Sequence, residues 1–331
     1  MKWFATKQHN RVMWSLACAL ACFLVAADAF GQNKGKGGGK GGGGGGEPPA
    51  DPAIAYISSP SVLSVMNADG SNQTEVFSLG TTLSDLSWSP DGGSIAFRTV
   101  SRLFVLDVSV VDGVPTAGDL TKIFDHDIDD HTSVFSVAWS PVRTDEIAIV
   151  THKSVDGLST GAIFVVSRFR VPGDPLPEPL YTAPPDTVIW DVAWRADGSQ
   201  IAFTAGPRNV DLVLYVLDLA TGVVRDILHG NGVNIFYAID WARTNDEIAL
   251  TYGNYYGSFE PRINIVDIAT GAMITVIEPA SSSAWSHDDT RLAYTDRTTK
   301  LKTVDLATGA ITKLSQGTRA RAPVWPDWRR F

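Results

Sequence analysis

Beyond residue 29 the chain has no cysteine, since both of its cysteines, Cys18 and Cys22, lie near the N-terminus. A chain cut after that point can use no disulfide, no thiolate nucleophile and no cysteine-ligated metal. Basic residues are also in deficit, 27 Lys and Arg against 36 Asp and Glu, for a net charge of −9. Nucleic-acid binding needs clustered cations to replace phosphate counterions, so this balance argues against a general nucleic-acid binder. A long hydrophobic run is missing too. The apolar stretch Val12–Ala27 has 16 residues, short of the roughly 20 that span a bilayer. Methionine is sparse, with four residues against ten tryptophans. That aromatic-rich core material suits pleated sheets.

What stands at the N-terminus has the three parts of a secretory signal. Lys2, Lys7 and Arg11 precede the apolar stretch, and Ala27-Asp28-Ala29 follows it. Cleavage is expected after Ala29. Neither cysteine has leucine three positions upstream, so lipidation is not expected. Removing residues 1–29 takes away three basic residues and one acidic residue, moving the net charge from −9 to −11. Gly31–Gly46 is mostly glycine with Lys34, Lys36 and Lys40. Such a segment cannot bury enough apolar area to offset chain entropy, and residues 30–51 are expected to form a flexible tether. Its glycines match phosphate-loop patterns only formally, because no strand precedes them and no helix follows.

From residue 52 to 331 the chain repeats itself. A tryptophan ends a short apolar strand, a polar turn follows, and a second strand opens seven or eight positions later. The copies are Trp88 to Ile95-Ala-Phe, Trp139 to Ile147-Ala-Ile, Trp194 to Ile201-Ala-Phe, Trp241 to Ile248-Ala-Leu and Trp285 to Leu292-Ala-Tyr. A sixth tryptophan, Trp325, has no second strand after it. Three units continue into near-identical hairpins, Asp218-Leu-Ala-Thr-Gly222, Asp267-Ile-Ala-Thr-Gly271 and Asp305-Leu-Ala-Thr-Gly309. Asp bonds turn amides and Gly takes positive φ, so these recurring aspartates read as turn-makers rather than catalytic acids. Trp-to-Trp spacings of 51, 55, 47, 44 and 40 match the period of propeller blades. Ile54–Ile57 reads as a second strand lacking its first, and Ala322–Trp325 as a lone first strand. One completes the other. The expected fold is all-β, a six-bladed propeller closed by one C-terminal strand and three N-terminal strands, at Ile54–Ile57, Val62–Met66 and Thr74–Phe77.

Trp88-Ser-Pro-Asp-Gly followed by Ile95-Ala-Phe97 resembles the WD-like repeat of TolB-type six-bladed propellers, over residues 54–331. The resemblance implies the propeller fold. For function it implies a class containing protein-interaction modules, enzyme scaffolds and substrate gates. TolB proteins also carry an N-terminal α/β domain, where this chain has a glycine-rich segment. No site residue is carried over from the family.

Because strands alternate in direction, blade-to-blade connections and second-to-third loops share one face, and there the sequence is irregular. Blade entries carry Phe135, Trp190, Phe236 and Tyr237, and the segment 252–259 adds Tyr255 and Tyr256. Exposed aromatics would supply partner-binding anchors, so Phe135, Trp190, Tyr237, Tyr255 and Tyr256 are the candidates; packing between blades is the alternative. His126, His131, His152 and His229 map to the same face. Convergent histidines and carboxylates would bind a divalent metal, whereas a solvated acidic loop explains them without one. Gly157-Leu-Ser159-Thr-Gly161 matches a serine-hydrolase pattern, yet it joins two strands with no helix after it, so Ser159 is not expected to be a nucleophile.

The sequence therefore describes an exported, secreted or periplasmic, monomeric binding module for a protein or another envelope macromolecule. It requires no cofactor. The rival reading is a metal-dependent carbohydrate-active propeller of sugar-acid lyase type. Expression with the native N-terminus should release a protein whose first residue by N-terminal sequencing is Phe30; a mature form retaining Met1 would refute the cleavage.

Overall fold

The computed structural model describes residues 53–129, 132–155, 158–207, 212–230, 235–253, 261–296, 298, 300–314 and 326–328. They form six antiparallel sheets of four strands each. The first blade combines Ile54–Ser59, Val62–Met66 and Thr74–Ser78 with a strand from the other end of the chain, Asp327–Trp328. The second blade runs from Leu83 to Asp125, the third from Ser133 to Thr182, the fourth from Thr187 to His229, the fifth from Ile235 to Ile277 and the sixth from Ala280 to Lys313.

The closing strand corrects one expectation. Ala322–Trp325 lies outside the described residues, and the strand that pairs with Ile54–Ser59 is Asp327–Trp328. Trp328 stands opposite Ile54, as Trp88 stands opposite Ile95 and Trp285 opposite Leu292. Register decides the matter. Trp328, not Trp325, is the sixth blade tryptophan.

The Trp and Ile-Ala motifs owe their recurrence to one packing arrangement. Each tryptophan closing a first strand is buried, and so is the small alanine in each second strand. Ala96 shares a hydrophobic cluster with Trp139 of the following blade, Ala148 with Trp194, Ala202 with Trp241 and Ala249 with Trp285. The ring closes the same way, Ala293 with Trp328 and Ala55 with Trp88. A larger side chain at the alanine would displace the indole, because interiors are packed as densely as organic crystals.

Backbone bonds reinforce the seats. The residue before one blade's tryptophan accepts from the next blade's tryptophan: Trp88 N–H donates to Asp327 Oδ2 (2.7 Å), Trp139 N–H to Ser87 Oγ (3.0 Å) and Trp285 N–H to Asp240 Oδ2 (2.7 Å).

The repeated hairpins take the conformation their residues favour. Thr221, Thr270 and Thr308 each donate a backbone N–H and a hydroxyl to Asp218, Asp267 and Asp305. Gly222, Gly271 and Gly309 follow with φ of +70°, +68° and +70°, where a Cβ would be strained. The threonine bonds hold all three carboxyls below their ordinary range. These aspartates are turn-makers.

Asp327→Ala should cost about 1–3 kcal/mol by leaving the buried Trp88 N–H without its acceptor. Deleting residues 327–331 should abolish the single cooperative thermal transition in calorimetry; a truncated chain that melts in one undiminished transition would show that the ring does not depend on this strand.

Candidate functional site

The first strands of the blades line the propeller axis, and in each of the five complete ones the register slips by a bulge. The slips fall at Asp85, Phe135, Trp190, Tyr237-Ala238 and Ser282. Asp85 and Ser282 sit at φ of +52° and +51°. A bulge re-aims side chains and frees backbone groups from the ladder. Here it turns polar side chains towards neighbouring blades. Asp85 Oδ2 accepts Val137 N–H (2.9 Å), and Asp191 Oδ2 accepts Ile239 N–H (2.8 Å). Between the two carboxylates lies Ser136, whose hydroxyl donates to Asp191 Oδ1 (2.5 Å).

Asp85 and Asp191, with Asp240 and Asp327, line an axial cavity of about 50 Å³. Arg243 lies beside them. Burial opposes its charge, but Asp240 and then Asp327 hold the guanidinium above its ordinary range. Burial, and then the adjacent Asp85 carboxylate, push Asp191 up to about 8. Burial raises Asp85 as well, while Arg98 opposes the shift. The neutral form of Asp191 is thereby favoured at neutral pH.

The sequence candidates separate in space. Phe135 is half-buried, packs against the cluster between the third and fourth blades, and stacks on His152 at 3.8 Å between ring centroids. Trp190 is half-buried against the cluster around Trp241. Tyr237 lies in the strand Ile235–Trp241, and Tyr255 and Tyr256 lie outside the described residues. His152 is buried, with Nε2 at 2.7 Å from Ile189 O and 3.1 Å from Ile189 N, and so joins the third blade to the fourth. His126 Nδ1 contacts Thr132 O at 3.1 Å, and His229 pairs with Asp226 at 2.9 Å on the surface. His131 is outside the described residues. Among the described residues no three His, Cys, Asp or Glu side chains come together as metal ligands. Ser159 is a strand residue opposite Ser154.

Two features escaped the sequence reading. The second blade ends in a long hairpin, Arg102–Val111 with Val114–Asp125, turning at Asp112 and Gly113 with φ of +51° and +76°. That Asp-Gly pair is the usual signal for such a turn. The third blade has a fourth strand of only two residues, Tyr181–Thr182. The segment before it contains Pro172, Pro175, Pro177 and Pro179, which cannot donate to a ladder. This segment packs on the connection between the second and third blades, where Arg170 meets Asp129 at 2.6 Å with both side chains buried. A cleft of about 530 Å³ remains beneath it. The proline run and the widest Trp-to-Trp spacing were the available signals.

Solved structures share this architecture. TolB from Acinetobacter baumannii superposes with a TM-score of 0.60 at 18% identity, covering 84% of this chain and 66% of its own. A structure from Agrobacterium tumefaciens assigned to TolB gives 0.54 at 15% identity, over 83% of this chain and 97% of its own. The chain has the six-bladed propeller fold of these TolB structures. At these identities the likeness is one of fold, and the chain spans just under two thirds of the Acinetobacter protein. No family model and no curated protein sequence matches it.

In this propeller the raised carboxyl of Asp191 ties stability to pH. Its proton is bound more tightly in the folded state, so the stabilisation is full below about pH 4, the ordinary range of a free carboxyl, and is lost as pH rises towards 8. Between pH 5 and 8 the melting temperature should therefore fall more steeply for the native protein than for Asp191→Asn. Parallel profiles for the two proteins would mean that the tunnel holds no such proton.

Proposed function

We propose that the protein is an exported, non-enzymatic binding module that engages a protein or another macromolecule of the cell envelope, in the periplasm or outside the cell. The observation that carries this reading is where its apolar surface lies. Of the fifteen exposed large hydrophobic side chains among the described residues, eleven fall between Val100 and Leu180, in the second and third blades and the segment joining them. Monomeric surfaces carry scattered apolar residues, but concentration on one side marks an interaction surface.

The contacts around Phe169 support the reading. Phe169, 71% exposed, is held by the Arg168 guanidinium 5.2 Å from its ring centroid, and the same guanidinium lies 5.5 Å from Trp139. Arg168 also bonds Asp107 of the second blade at 2.5 Å. An aromatic side chain presented on a fixed scaffold contributes contact area at small entropic cost. The carboxyl groups with shifted acidity in the tunnel are engaged by backbone amides of neighbouring blades, which suits a structural role.

The proposal is tested by immobilising the mature protein, capturing partners from an envelope extract and repeating the capture with Phe169→Ser/Val171→Ser. Loss of a captured partner by about tenfold, roughly 1.4 kcal/mol, with the melting temperature unchanged, is the expected result. Undiminished capture by this variant, with loss in Tyr255→Ala/Tyr256→Ala instead, would move the surface to the other candidates.

A further inference from the structure

We infer that the cleft enclosed by the third blade, its proline-rich segment and the connection that enters the blade is a binding site for an uncharged, mainly apolar small molecule bearing one or two hydroxyl or carbonyl groups. The site goes beyond the macromolecular surface above and stands independently of it.

The cleft exists because the third blade lacks most of a fourth strand. The sheet face turned towards the second blade carries Phe164 near the core and then Ala162, Thr151 and Thr160, which leave space where larger side chains would fill it. Its roof is fixed. Arg170 donates to Asp129 (2.6 Å), to Ile123 O (2.8 Å) and to Asp174 O, so the proline-rich segment is tied down across the opening. At about 530 Å³ the space falls within the ~300–1,000 Å³ typical of small-molecule sites.

Charge defines what the cleft excludes. Its lining contains two cations, Lys153 and Arg170, and two carboxylates, Asp129 and Asp174. Asp129 also accepts Asp125 N–H (2.7 Å) and Gly173 N–H (3.0 Å). Burial works against its charge, yet Arg170 and these amides hold it below its ordinary range. Asp174 in turn accepts Val171 N–H (3.1 Å). Arg170 and Asp129 neutralise each other as an ion pair and the lining as a whole carries as many carboxylates as cations, so it offers no net charge to offset the lost hydration of an ionic ligand.

Hydroxyl groups define what it admits. Thr151 and Thr132, which carry two of them, are only 3% and 7% exposed and line the cleft. Thr160 and Thr182 add two more such hydroxyls. Each hydroxyl both donates and accepts, so it suits a ligand hydroxyl or carbonyl equally. The remaining lining includes Ile128, Ala162, Phe164, Pro175 and Leu176. A saccharide would bury several of its own hydroxyls against these groups at about 1–3 kcal/mol each, whereas an apolar body with a single polar end satisfies both kinds of wall.

Methyl-resolved NMR of the mature full chain, labelled at Ala, Ile and Thr, tests this with 1-octanol, octanoate and maltose as probes. Octanol should shift the methyls of Thr151, Thr132, Ala162 and Ile128 saturably, octanoate should bind at least about tenfold more weakly, and maltose should leave them unmoved. Ala162→Trp, which fills the cleft, should remove the octanol response while retaining the native melting transition; Thr160→Phe at the more exposed part of the wall serves the same purpose if that variant does not fold. No saturable response to octanol, tighter binding of octanoate or maltose, or an octanol response that survives in the folded filled variant would each overturn the assignment.

Discussion

The structure depends on one repeated contact, a tryptophan of one blade seated on the alanine of the blade before it. The indole supplies a large apolar area, and the alanine is small enough to admit it. Because the contact joins neighbours rather than residues within a blade, no blade is complete alone. The last seat, Ala293 with Trp328, and the first, Ala55 with Trp88, then require the chain ends to meet. Burying a side chain of this size is worth about 3–5 kcal/mol against its loss to alanine, which is comparable with the whole stability of an ordinary domain once two seats fail.

Around that apolar ring the polar groups perform the same joining task. Asp85, Asp191, Asp240 and Asp327 each accept a backbone N–H from the following blade, and His152 reaches the backbone of Ile189. Seen singly, a buried carboxyl raised to about 8 or a histidine in an acidic chain resembles the chemistry of an active site. Their partners explain them otherwise. Each first strand is the edge of its sheet, its buried amides need acceptors, and side chains of the adjacent blade supply them.

The propeller is regular in its seats and irregular on one side. The second blade extends a hairpin past its neighbours, and the third gives up most of its fourth strand for a proline-rich crossing. Both departures leave the Trp-on-Ala contacts intact, so they cost the ring little. They also place exposed apolar side chains and a cleft of about 530 Å³ in the same part of the disc. A scaffold whose stability resides near its axis can vary its periphery for recognition.

By itself the sequence determined whatever depends on local chemistry or on repetition: the Trp-to-Ile-Ala period, the Asp-Thr-Gly hairpins, the all-β class and the need for one end of the chain to complete the other. Each of these follows from backbone preferences or from a spacing that recurs. Tertiary structure alone decided which side chains meet. Trp325 and Trp328 are alike as residues near the C-terminus, and only pairing with Ile54 selects Trp328. Asp191 and Ser136 are far apart in sequence, as are Arg170 and Asp129, yet the blade geometry brings them within hydrogen-bond distance. That Phe135 and Trp190 each pack half-buried against a neighbouring blade is likewise a matter of tertiary structure. The cleft is still further from the sequence, because it consists of volume that a missing strand leaves unfilled, and no residue spacing encodes an absence.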